Sequence, residues 1–87
     1  MTVQDVFVIK NRGVVITGRI ESGTVRVGDL VHINGGPGIA VDAVEMFRKK
    51  QDSAGAGDNV GLLLESIDKT EVNRGDVVTS SGEAPGL

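Results

Sequence analysis

Cysteine, tryptophan and tyrosine are absent from these 87 residues, Phe7 and Phe47 are the only aromatic rings, and His32 is the only histidine. Without cysteine there is no disulfide framework and no thiolate metal site, and the sequence says nothing about redox compartment. A metal site would have to be built from carboxylates, and a nucleophilic triad has no obvious serine partner in a strained elbow for His32, which reads as an outward or edge residue in mid-strand. Long apolar runs are also missing. None approaches the roughly 20 residues needed to cross a bilayer, and Met1-Thr-Val-Gln-Asp5 has neither the basic start nor the apolar stretch of a signal peptide. A cytoplasmic protein with no membrane association is the expectation. Positive charge is in deficit, with 9 Lys and Arg against 12 Asp and Glu and a net charge of −3. That argues against a general grip on phosphate backbones, which depends on many cations releasing counterions, but leaves room for a few contacts to one nucleotide. No Gly-x-x-x-x-Gly-Lys-Ser/Thr cradle occurs. Asn34-Gly-Gly-Pro-Gly38 is glycine-rich but lacks the lysine and the following helix, so it is a loop. A non-enzymatic protein with no catalytic residue, metal or cofactor is expected.

What is present is a β pattern. Val14, Ile16 and Ile20 fall on one parity and Val15, Thr17, Arg19 and Glu21 on the other, which marks a half-buried strand. Asp5 to Lys10 is apolar on both parities, so its inward face stays open. Leu30 to Ile33 is a further short strand, and the Asn34–Gly38 loop is a hairpin signal. Alternation through Ile39, Val41 and Ala43 slips by one at Val44 and Met46, which suggests a β-bulge near Ala43–Val44. A strand from Asn59 to Leu64 follows the turn at Ser53 to Asp58. Asp68 with Glu71 three residues on, and Gly75 beyond, reads as one helical turn near Lys69 to Asn73 with a capping box and a glycine stop. Asp76 to Thr79 is the last strand, and residues 80–87 have the composition of a flexible tail. About six or seven short strands with glycine turns imply an all-β fold, a small closed antiparallel barrel over residues 1–79. Its core must be aliphatic, and at this length its stability margin is thin.

Two features of this pattern bear on binding. Val15 is an apolar side chain on the otherwise polar parity of its strand: either an isolated surface valine or one wall of a shallow apolar pocket. Glu45-Met-Phe-Arg-Lys-Lys50 gathers an acid, a ring and three cations just after the expected bulge. It is either a solvated strand end or a site that the bulge re-aims. Lys10 and Arg12 add cations on the first hairpin, and spacing does not decide whether they meet Arg48.

Arg12-Gly13, Thr17-Gly-Arg19, Ser22-Gly23, Val27-Gly-Asp29, Val44-Glu-Met-Phe-Arg-Lys49, Ala56-Gly-Asp-Asn-Val-Gly61 and Arg74-Gly75 occur here in one order. With these motifs the chain resembles, from Asp5 to Val78, the second domain of the translational GTPases, elongation factor Tu among them. That domain is a small β-barrel. The resemblance implies a stand-alone barrel module, since 87 residues leave no room for the GTPase domain that normally precedes it. It also implies a role in translation, through weak contact with the aminoacyl-tRNA 3′ end or the ribosome. In elongation factor Tu this barrel holds the terminal adenosine between apolar residues with a glutamate on the base. The positions here that match that pocket are Ile9, Val15, Leu64 and Glu45, with Arg48 close by. Asn11 replaces the first glycine of the family's Gly-Arg-Gly turn, and the hairpin around Gly35–Gly38 is shorter than in the factors. The alternatives are a protein-interaction module that reuses the barrel surface, for instance for a partner GTPase, or a retained fragment without an independent role. A monomer is expected in each case.

Overall fold

The computed structural model describes residues 1–81 and 86–87. Ten short strands follow one another: β1 (Asp5–Ile9), β2 (Gly13–Arg19), β3 (Thr24–Arg26), β4 (Leu30–Ile33), β5 (Gly38–Ala40), β6 (Ala43–Met46), β7 (Lys49–Gln51), β8 (Ser53–Gly55), β9 (Asn59–Leu64) and β10 (Val78–Ser80). All pairings are antiparallel. They form a five-stranded sheet ordered β1-β2-β9-β6-β7, a three-stranded sheet β10-β4-β5 and the pair β3-β8. The expected all-β antiparallel architecture is what the chain adopts, with the strand pairing divided among three sheets rather than drawn as a single ring. Loop hydrogen bonds stitch the sheets together: Val27 N–H donates to the Asp52 carbonyl, Gly28 N–H to Val41, and Ile20 N–H to Asp58.

The strands outnumber the expected six or seven because long runs bend from one sheet into the next. The slip at Val44 is such a place and not a bulge within one strand. Ile39 pairs with Val31 in the β4–β5 ladder, whereas Ala43 to Glu45 pair with Leu63 to Gly61 in the β6–β9 ladder. Between them Val41 exchanges hydrogen bonds with the turn that precedes β4. The alternation changes phase because the chain changes sheets.

The core is aliphatic throughout. Val14, Ile16, Ile20, Val25, Val31, Val44, Leu62, Leu64 and Val78 are fully buried, and among the described residues no polar or charged one joins them. The parity of β2 is as its alternation implies, and on β1 it is Val6 that packs against the core.

The expected helical turn is a short 3-10 turn, Lys69–Glu71, entered through a capping box. Asp68 accepts from the Thr70 N–H, and the Glu71 carboxylate accepts in return from the Asp68 N–H. Of the tail expected over residues 80–87, the described residues at both ends are tied to the barrel. Ser80 ends β10, and Leu87 is buried, with its N–H donating to the Ser22 carbonyl and its carbonyl accepting from the Glu21 N–H. Residues 82–85, the rest of that expected tail, lie outside the described residues. No helix among the described residues is long and apolar enough to cross a membrane.

Candidate functional site

A strand shows alternate side chains to opposite faces, so the register of the five-stranded sheet decides which residues meet. Val14 pairs with Leu64 and Ile16 with Leu62, all four fully buried on the inner face. Val15 is therefore turned outward. Its partners across the sheet are Phe7 on β1 and Leu63 on β9. Two places along, Thr17 pairs with Gly61, which in turn pairs with Glu45 on β6. The outer face thus carries, strand by strand, Phe7 and Ile9, Val15 and Thr17, Leu63 and Gly61, and then Glu45.

A recess of about 320 Å³ opens on this face, lined by Val15, Thr17 and Gly61 at the floor and by Glu45, Phe47 and Arg48 along one rim. Gly61 keeps the floor open: a β-carbon there would stand 3.1 Å from a methyl of Val15, inside the space a ligand would use. Phe47 and Arg48 stand in the two-residue link between Met46 and Lys49, which are paired across β6 and β7. Both have positive φ, 52° and 63°, the signature of the type I′ turn that fits the twist of a tight hairpin. Glu45 is half-buried and Arg48 exposed, and among the described residues neither side chain has a hydrogen bond or an ion pair. A carboxylate and a guanidinium stand free beside an apolar floor.

Of the five residues expected to form the site, the structure brings Val15, Glu45 and Arg48 to this recess. Ile9 shares their face but pairs with Gly13 at the far end of the β1–β2 hairpin, and it lines a different recess. Leu64 has to be corrected. It points into the core beside Val14 and is fully buried, and the residue that shares the face of Val15 is Leu63. The run Leu62-Leu63-Leu64 is apolar on both parities, so no pattern within it could choose. The choice required the register of β9 against β2. Gly61 was also missed, and Phe47 was read only as the ring of the Glu45–Lys50 run. Gly61 could have been found from its parity with Glu45, but only once the pairing was known.

The second recess is the larger, at about 650 Å³, and lies beneath the tip of the β1–β2 hairpin. Val8, Ile9 and Val14 give it an apolar wall, and Lys10, Arg12 and Lys69 share its rim with Glu65 and Asp68. Both recesses set charged side chains that are unpaired among the described residues beside apolar ones; the smaller one gathers three of the five expected site residues, and we take it as the candidate site. Asp68, on the larger recess, is the one described group whose titration is clearly displaced. The Thr70 hydroxyl and then the Thr70 N–H donate to its carboxylate and hold its pKa below the ordinary value.

His32 has more partners than an edge residue needs. The Gly36 carbonyl lies 2.8 Å from its Nδ1, and a carbonyl can only accept, so Nδ1 donates to it, while Nε2 is hydrogen-bonded with the Ser81 hydroxyl. The ring ties the β4–β5 loop to the end of β10. Among the described residues no group of three or more His, Asp or Glu side chains is placed to hold a metal ion.

The family comparison agrees with the architecture. The chain matches the family model of elongation factor Tu domain 2 over residues 13–79, and it belongs to that family. This makes it a translation-factor domain.

Proposed function

We propose, from membership of the elongation factor Tu domain 2 family, that the outer-face recess receives the 3′-terminal adenine of an aminoacyl-tRNA. One observation carries this reading: Val15, Gly61, Glu45 and Arg48 surround a single small recess, with both charged groups unpaired among the described residues. A nucleobase is flat and apolar on its faces and polar at its edge. Its face can lie on the Val15 and Thr17 methyls over Gly61, while its exocyclic amine donates to the Glu45 carboxylate. Single-stranded RNA ends are recognised in this way, by unstacked bases held on their faces and read on their edges. Arg48, on the same rim, suits a phosphate or ribose oxygen of the same nucleotide. At about 320 Å³ the recess is at the small end of ligand sites, a fit for one nucleotide and not for a longer strand.

With one nucleotide and few cations in play, the affinity of these 87 residues is set by a short contact list against the entropy of association, so a Kd no tighter than roughly hundreds of micromolar is expected. The salt dependence is shallow for the same reason. An NMR titration with a CCA trinucleotide is the test. Shifts centred on Val15, Gly61, Glu45 and Arg48 support the reading; shifts centred on Arg26 or His32, or none at millimolar ligand, overturn it.

A second reading has its own observation. Phe7, Val8 and Ile9 are 52%, 58% and 37% exposed on β1, which is an edge strand of the five-stranded sheet. An apolar edge of this kind suits a protein partner, for instance a GTPase. Protection of Phe7 to Ile9 by such a partner, with the recess unaffected, would favour it.

A further inference from the structure

Phe47 is 90% exposed in a chain with only two aromatic rings, and its backbone has φ 52°. Arg48 follows at φ 63°. A type I′ link is easy for Asn-Gly and strained for two bulky L-residues, because each β-carbon crowds its neighbouring carbonyl. The ring gives nothing to the core in exchange, since almost all of its surface faces solvent. On grounds of folding alone this is a poor choice of turn. Both residues, however, border the recess that holds Val15, Gly61 and Glu45. Strain held at a turn together with an unburied ring beside an apolar floor is understandable when a ligand completes the burial.

We infer that Phe47 is the second face of the nucleobase site. The type I′ turn aims the ring so that a base resting on Val15 and Gly61 is covered by it, and Arg48 is carried on the same turn to meet an anionic group of that ligand. This rests on the reading of the recess as a nucleotide site, and it adds a residue and a mechanism to it: stacking supplied by a preset turn. Stacking is tolerant of base identity, so Phe47 provides affinity while Glu45 provides the preference for a base with an exocyclic amine.

The test is a set of NMR titrations of the 87-residue chain with adenosine monophosphate and with a CCA trinucleotide. Wild type is compared with Phe47→Leu, Phe47→Tyr and the double variant Phe47→Asn, Arg48→Gly, and with Val15→Asp as a marker of the underlying site. Wild type should shift the adenine ring protons upfield through the ring current of Phe47. Phe47→Leu should lose that shift and bind roughly ten-fold or more weakly, in line with the usual worth of one base–aromatic stack. Phe47→Tyr should restore both. The Asn-Gly variant should melt at or above the wild-type temperature and still lose binding, which separates the turn's function from its role in folding. If wild type binds, Val15→Asp abolishes binding, and Phe47→Leu keeps the wild-type Kd and ring-proton shifts, the role of Phe47 is overturned while the site stands. If wild type binds neither ligand, the nucleotide reading falls and this inference with it. A double variant that melts lower than wild type shows that the ring serves the fold, and also overturns it.

Discussion

The two faces of the five-stranded sheet are built from the same strands, and β2 and β9 supply both. On the inner face Val14, Ile16, Leu62 and Leu64 leave no surface to solvent. One residue along in each strand, Val15, Thr17 and Gly61 form the floor of an open recess. The inner side chains have one requirement, to be apolar and to fill volume, and aliphatic residues meet it without rings. The outer set must do the opposite. It has to keep a hollow, so it holds a glycine where a side chain would fill the space, and it sets a carboxylate beside apolar groups. Alternation along a strand thus divides one short sequence into residues for stability and residues for recognition, and a shift of one position exchanges the two roles.

The most direct way to break this comparison is at Leu64. It is inward and fully buried, so Leu64→Ala should lose about 2–5 kcal/mol of folding stability through lost burial and a residual cavity. Set against the roughly 5–15 kcal/mol that holds a small domain together, that loss should be plain in a urea melt. The folded fraction should bind ligand as wild type does. A Leu64→Ala protein that melts normally but fails to bind would restore the original expectation that this residue lines the pocket.

Val15→Asp is the complementary change one face over. The site is half-buried at the surface, so the carboxylate keeps water in the free protein and the melting temperature should move little. In the complex the charge would be desolvated against a base, which costs a few kcal/mol and should abolish binding in the titration. Glu45→Ala should weaken binding by about 1–3 kcal/mol through the loss of one charged acceptor. It should do so most for adenine and least for uracil, which has no exocyclic amine to lose.

Much of this division was legible in the sequence. Val15 stood out because β2 has clean alternation on either side of it, and the hairpins and the capping box announced themselves by their turn residues. Legibility failed where pattern carries no phase. β1 and the Leu62-Leu63-Leu64 run are apolar on both parities, so their faces follow from pairing alone, and Leu64 was assigned to the wrong side for that reason. The exchange of sheets between Ile39 and Ala43 looked like a bulge because both produce the same one-residue slip. Phe47 was hidden differently. Bulky residues seldom take left-handed backbone, so nothing in Met46-Phe-Arg-Lys49 advertises a type I′ turn; only the register of Met46 with Lys49 exposes it.

The smallest expected effect lies at neither face but at the cap that closes the 3-10 turn. Asp68 accepts hydrogen bonds from the Thr70 hydroxyl and N–H, which lower its pKa from the ordinary 3.8. A carboxyl whose pKa is lower in the folded than in the unfolded chain stabilises the fold fully above its unfolded value, and that contribution disappears as pH falls below 3.8 and through the folded value. Asparagine can cap a turn in much the same geometry without titrating. Asp68→Asn should therefore melt close to wild type at neutral pH and lose less stability on acidification, so that the two curves of melting temperature against pH converge or cross below 3.8. The group is fully exposed and screened by solvent, so the difference should be small beside those at Leu64 and Val15. Parallel curves for the two proteins through that range would show that the Thr70 hydrogen bonds do not favour the charged carboxylate in solution. The cap would then be a matter of turn geometry alone.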